Sequence, residues 1–256
     1  MSAKEIEINS LSELMNSVEE WLAQSTGPRW FRGSGNHPVY ELVPSLMRHP
    51  DVVADPSNAL TFELRLKSRF LQTSAPFLKS TPATDFDWLF LQQHYGVPTR
   101  LLDWTENPYI ALYFALSSSR PEADACVWML DPVAWNKRAL NNERLDRVPD
   151  PTMPQAAEFL KDPGGDFAPS DPIAILGNHT NSRITAQRGN FVMFCRSTES
   201  MEKKAYAEDS LVCLKVPAAR KQFLHGNLLR IGYTHSVVYP DLSGLGTEIK
   251  TTFGFQ

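Results

Sequence analysis

His94, Thr99, Arg100, Asp103, Trp104 and Thr105 crowd into "LQQHYGVPTRLLDWTENPYIALYFA" (91–115), between two strongly apolar segments. Taken singly, each has an ordinary structural use. Arg100 can pair with Asp103, His94 can sit at a helix C-terminus, and Thr105 can cap the next helix. Together they amount to many polar groups beside apolar helices, which are costly to bury without partners or a ligand. A second arginine, Arg32 in "WFRGSG" (30–35), lies between an aromatic pair and glycines. A guanidinium on a short strand needs an acceptor, either a carboxylate of the chain or the phosphate or ribose of a ligand. Gly33 and Gly35 let a ligand or a neighbouring backbone come close. The chemistry open to such a set is recognition of a phosphate- or ribose-bearing ligand.

The common nucleotide and hydrolase signatures are missing: the sequence has no GxGxxG, GxxxxGK[ST], GxSxG or HExxH. With a net charge of −4, no overall positive field attracts nucleic acid. A nucleic-acid contact would need a local patch, for which "RWFRG", Arg48, Lys203/Lys204 and Arg220/Lys221 are the candidates. The three cysteines, Cys126, Cys195 and Cys213, lie far apart in apolar runs. They read as buried thiols in a reducing cytoplasm, and no Cys/His spacing of the zinc type is present, so no metal is expected. No apolar run approaches the ~20 residues of a membrane span, so a cytoplasmic protein is expected.

The elements that must position these residues follow from period and punctuation. Ser10 and Glu13 open an amphipathic helix that ends at Gly27-Pro28. "RWFRG" reads as a short strand. The Pro- and Asn-rich stretch after it reads as loop with one helical turn. Asp55-Pro56 opens a helix to about Thr73, and Thr84 caps another that Gly96 stops. "YIALYFAL" is apolar on all sides, and Asn107-Pro108 favours a buried helix over a strand. Residues 125–131 and 211–216 are strands. "RITAQRGNFVMFC" reads as two strands or one bent strand with Gly189 at the bend. Residues 136–182 read as an irregular excursion, and the segment from Pro217 as a helix or broken helix, interrupted near Gly226. Interspersed helices and strands without a βαβ rhythm give an α+β class, with a helix over 1–26 packed on a single domain over 27–256.

"WFRG", "QHYGVPTRLLDWTENPYIALYFA", "RITAQRGNFVMF" and "VVYPDLSGL", in that order, resemble the FRG domain family, named for its Phe-Arg-Gly motif. That family is in turn distantly similar to the arginine-type ADP-ribosyltransferases, which split NAD and transfer its ADP-ribose. The resemblance implies a mixed or antiparallel split sheet with surrounding helices, and NAD as substrate. It implies Arg32 as the phosphate and ribose clamp. The Asp103, Trp104, Thr105 corner takes the place of that superfamily's Ser-Thr-Ser, and Gln187 stands where its catalytic Glu is expected. Arg32, Asp103 and Gln187 are then the catalytic set, with Arg32, Gly33, His94, Tyr95, Thr99, Arg100, Thr105 and Tyr113 binding NAD. Because Gln187 lacks a carboxylate to stabilise an oxocarbenium-like transition state, Asp103, Glu106, Glu199, Glu202 and Glu208 are candidates for the missing acid. The implied setting is a bacterial toxin or phage-defence effector held by an antitoxin and modifying RNA first or protein second. A non-catalytic nucleotide- or ADP-ribose-binding module and an NAD glycohydrolase remain as alternatives.

Overall fold

The computed structural model describes residues 3–78, 80–117, 120–153, 156, 169–178 and 182–255. The chain opens with strand β1 (Lys4–Glu7) and helix α1 (Leu11–Leu22), whose first turn is capped by Ser10 Oγ accepting from the Glu13 amide. Strand β2 (Trp30–Ser34) follows. The Pro-rich stretch beyond it folds into a 3-10 turn (Leu46–Arg48) and a short helix α2 (Pro50–Ala54). Helix α3 spans Asn58–Ser74, with Asp55 accepting from Ser57 ahead of it. Helix α4 (Asp85–His94) carries a full capping box from Thr84 and Asp87, and ends where Gly96 takes a φ of +75°.

Strand β3 (Leu101–Thr105) leads through an Asn107 cap into helix α5 (Pro108–Leu116), buried on nearly every side as its composition requires. Strand β4 (Ala125–Leu130), helix α6 (Pro132–Ala139) and strand β5 (Ile173–Ile175) come next. Helix α7 (Ser182–Gln187) and strand β6 (Gly189–Met193) are followed by strand β7 (Leu211–Val216). Helices α8 (Ala218–Arg230), α9 (His235–Val238) and α10 (Leu242–Thr252) close the fold.

The result is a mixed α/β fold around one seven-stranded sheet, ordered β1-β7-β4-β2-β3-β6-β5. Every pairing is antiparallel except β1 with β7. The middle of the sheet is barely joined. β2 pairs with β4 over its whole length but with β3 at a single position, Phe31 opposite Thr105. Beyond that point the two halves diverge.

Strand alternation puts Phe31, Gly33, Asp103, Thr105, Gly189 and Phe191 on one face, and Arg32, Trp104 and Asn190 on the other. On the first face, α1 and α5 cover the β2–β4–β7 half with a core of Val18, Ala111, Leu112 and Val127. Helix α4 covers the β3–β6–β5 half through Phe86 and Phe90. The opposite face holds a larger apolar cluster around Trp30, Trp104, Trp128 and Trp135.

Four sequence expectations are corrected. The N-terminal segment contributes a sheet strand as well as a helix, because Glu5 and Ile6 find backbone partners on β7. "RITAQRGNFVMFC" is a helix followed by a strand. Arg188, with φ of 46°, turns the chain between them, and Ala186 and Gln187 belong to the helical half, as their propensity allows. Helix α8 runs unbroken through Gly226, which has nothing crowding its Cα. The excursion over 136–182 contains the end of α6 and the edge strand β5, while residues 154, 155, 157–168 and 179–181 lie outside the described residues.

Candidate functional site

Where β2 and β3 separate, a cleft of about 280 Å³ opens on the face between α4 and α5. Gly33 sets how closely α5 lies to its floor. A Cβ at that position would stand 1.9 Å from the Ala111 carbonyl oxygen and 2.6 Å from the Ala115 nitrogen. The glycine after Arg32 therefore serves helix-on-strand packing rather than ligand approach. It brings α5, and with it Phe114, to the rim of the cleft.

Arg32 spans the split. Its Nη1 donates to the backbone carbonyl of Asp103 at 2.6 Å, so a side chain bridges strands that the backbone ladder leaves apart. Burial lowers the guanidinium from its ordinary value, and the Asp103 carboxylate opposes that shift.

Asp103 faces the cleft and is exposed, but it is not loose. Its Oδ2 accepts from Gln93 Nε2 at 2.8 Å, Gln93 Oε1 accepts from the Thr99 hydroxyl, and Thr99 Oγ1 accepts from the Leu101 amide. Thr99 is buried behind this chain and orients the carboxylate through Gln93. Thr105 donates to the Gln187 carbonyl and accepts from the Asn107 amide, tying α7 to the β3–α5 turn. The Gln187 amide is also engaged, with Nε2 donating to the Val238 carbonyl at 2.9 Å.

The remaining lining is mostly aromatic. Phe90 and Phe191 stack at 4.7 Å between centroids with 14° between their planes. Phe31, Phe114 and Ile184 complete an apolar wall facing Arg32, Gln93, His94, Asp103 and Asn190. A small mostly apolar pocket with a few fixed polar groups is the usual form of a small-molecule site.

Of the site residues expected from the sequence, Arg32, Gly33, His94, Asp103, Trp104, Thr105 and Gln187 line this cleft. The others do not. Tyr95 is 67% exposed outside it. Arg100 is 2% exposed and forms an ion pair with Glu63 at 3.0 Å, beside a second cavity of about 320 Å³ that Cys195 also lines. Its pairing with Asp103 is replaced by this one because Arg100 lies ahead of β3 and Glu63 approaches from α3. Tyr113 is buried on the far flank of α5, its hydroxyl 2.9 Å from His235 Nδ1.

Among the candidate acids other than Asp103, only Glu106 comes near, its Oε1 accepting from Asn190 Nδ2. Glu199 pairs with Lys204, and Glu202 accepts from the Leu42 amide. Glu208 lies in a short 3-10 turn ahead of β7. None of these lines the cleft.

Most of the basic side chains singled out in the sequence have partners within the fold. Arg29 pairs with Asp131, Lys203 with Glu41, and Lys204 with Asp171. Arg220 caps the Asn9 carbonyl, and the buried Lys221 donates to the carbonyls of Gly35, Arg120 and Ala123. Arg48 is exposed and its charge acts on Arg32, and Lys203 stays exposed within its pair.

Phe90, Gln93, Phe114, Ile184, Asn190 and Phe191 are site residues that sequence reasoning missed. Gln93 sits within the quoted block, immediately before His94. Phe114 and Phe191 look identical to core residues in sequence, since only the strand separation turns them toward space.

Residues 27–124, from the turn before β2 to the start of β4, match the FRG domain. The matched stretch includes Arg32 and Asp103 but not Gln187. No curated protein and no solved structure matches the chain.

Proposed function

The chain carries an FRG domain, and on that premise we propose that the cleft binds NAD and that the protein is an ADP-ribosyltransferase. One observation carries the reading: the guanidinium of Arg32 bridges the split in the sheet to the strand of Asp103, whose carboxylate faces the same cleft. A split central sheet with an arginine at the break is what the likeness to the arginine-type enzymes leads one to expect.

In this reading Arg32 holds the pyrophosphate, the cation being already partly desolvated and so poised for a strong charge-assisted contact. The Phe90, Phe114 and Phe191 rings receive the nicotinamide face. Asp103, fixed by Gln93, takes the part of the acid that Gln187 lacks. As the bond between the ribose C1′ and the nicotinamide nitrogen breaks, its electron pair leaves with neutral nicotinamide, and positive charge develops on the ribose. The Asp103 carboxylate stabilises that charge. A nucleophile of the acceptor then bonds to C1′ and gives up its proton to Asp103 or to solvent. RNA is the first acceptor and protein the second, with Arg48, exposed and acting on Arg32, as a basic side chain near the cleft.

A second reading, recognition of a nucleotide or ADP-ribose without chemistry, is favoured by one observation: no glutamate lines the cleft among the described residues. The two separate in one assay. Purified protein is incubated with NAD labelled in its adenylate half, together with total RNA and total protein. Label transferred to either acceptor supports the transferase. Free labelled ADP-ribose indicates hydrolysis, and intact NAD that nonetheless co-purifies with the protein indicates the binding module. Asp103→Asn should cut transfer at least ~100-fold, the range of a lost electrostatic stabiliser, with unchanged thermal stability.

A further inference from the structure

On the sheet face away from α1 and α5, four chemically distinctive side chains converge from four separate segments. Cys126 of β4 and Cys213 of β7 are 0% and 1% exposed. His37, in the loop after β2, brings Nε2 to 4.0 Å from Cys213 Sγ. The ligand atoms of His37, Cys126 and Cys213 all lie within 4.8 Å of one another. Glu5 of β1 stands opposite Cys213 in the parallel register, and its Oε2 is 2.9 Å from His37 Nε2. Ser34, directly across from Cys126, has its Oγ shut off from solvent with no hydrogen-bond partner among the described residues.

We propose that His37, Cys126 and Cys213, completed by Glu5, bind a zinc ion that fastens β1 and the loop after β2 to the sheet. The donor set is two thiolates, one imidazole and one carboxylate, the soft and borderline mixture that zinc takes in tetrahedral sites. In such a site the ligand atoms lie roughly 3.3–3.8 Å apart, as follows from zinc–ligand distances of about 2.0–2.3 Å. His37, Cys126 and Cys213, already within 4.8 Å of one another, need close by only about 1 Å to reach it. A disulfide fits less well. Trp128, not Cys126, lies opposite Cys213, so the cysteines are diagonal neighbours, whose Cα atoms stand roughly 7–8 Å apart, at the far limit for a bridge.

Zinc takes the thiolate and neutral imidazole forms, so its binding releases protons. The site lies on the face opposite the Asp103 carboxylate, so its role is structural. It shares that face with Arg32, whose guanidinium feels Cys126, and zinc content and the cobalt band are read without NAD, so the two readings fail separately.

The test uses untagged full-length protein purified without chelator. Elemental analysis should find about one zinc per chain. After chelator treatment, Co(II) titration should produce a thiolate-to-cobalt charge-transfer band in the near ultraviolet that saturates at one equivalent and that zinc abolishes. Cys213→Ser and Cys126→Ser should each remove the band and weaken zinc binding at least ~100-fold. Should either variant fail to fold, zinc protection of Cys126 and Cys213 from thiol reagents in the native-sequence protein decides the matter. Folded protein with no stoichiometric zinc and no cobalt band overturns the proposal, as does a Cys126–Cys213 disulfide recovered by peptide mapping of freshly purified, unreduced protein.

Discussion

Arg32 Nη1 donates to the Asp103 carbonyl across 2.6 Å, and it does so where the two halves of the sheet stop pairing. A side chain thus closes a gap in the backbone ladder while its charge stays beside the cleft. This arrangement sets separate demands on structure and on binding.

Arg32→Ala should weaken NAD binding roughly 10- to 100-fold, the value of a hydrogen bond to a charged group. Arg32→Lys should not restore it, because an ammonium cannot hold the Asp103 carbonyl and a phosphate in the same fixed geometry. Calorimetric titration with NAD measures both. Equal affinity in all three proteins would remove Arg32 from the site.

Gly33→Ala attacks the fold beneath the site. The new methyl would meet the Ala111 carbonyl at 1.9 Å, and backbone on both sides cannot yield cheaply. A loss of about 3 kcal/mol in urea unfolding is expected, at the upper end of overpacking costs. A shift below about 0.5 kcal/mol would show that α5 has room to move.

Gln187→Glu restores the residue type expected from the family likeness. It should not raise turnover. Gln187 Nε2 now donates to the Val238 carbonyl, and a carboxylate placed there faces another acceptor. A loss of about 1 kcal/mol in stability with no gain in labelled ADP-ribose release is the expected pair of results. Increased release would identify Gln187 as the acid position.

Arg100→Met separates structural from binding roles in the "TRLLDWT" segment. It leaves Glu63 buried without its partner, a loss of about 3–5 kcal/mol for a broken buried pair. NAD affinity of the folded fraction should not change, since Arg100 does not line the cleft. Thermal unfolding and ligand titration on the same sample give both numbers.

Burial pushes the Cys195 thiol up to about 11. At pH 8 it is almost entirely protonated, and the thiolate, the reactive form, appears only as pH approaches that value. Folded protein should therefore leave Cys195 unmodified by thiol reagents at pH 8, with full labelling after urea unfolding. Rapid labelling in the native state would show that the cavity it lines opens readily.

What the sequence determined by itself is local. The Thr84 and Asn107 caps, the stop at Gly96, the all-round apolar α5 and the strands around residues 30–34, 125–130 and 211–216 follow from side chains within a few positions of each other. Capping and apolar period act at that range, so they are legible without a fold. β1 escaped notice because Lys4-Glu5-Ile6-Glu7 holds three charged residues and one apolar one and so carries little strand signal, while β7 supplies the pairing. The helical half of "RITAQRGNFVMFC" escaped because β-branched residues in so short a run allow either reading.

The site divides the same way. That Arg32 and Asp103 needed partners was apparent from burying charge in an apolar setting, but which partners they found was not. Arg100 turned to Glu63 rather than Asp103, and Gly33 made room for the Ala111 carbonyl rather than for a ligand. His37, Cys126 and Cys213 meet only because β4 and β7 pair and the loop after β2 folds over them. Pairings between residues scores of positions apart are set by strand order and register. Those depend on burying the whole sheet at once, and no short window of sequence records them.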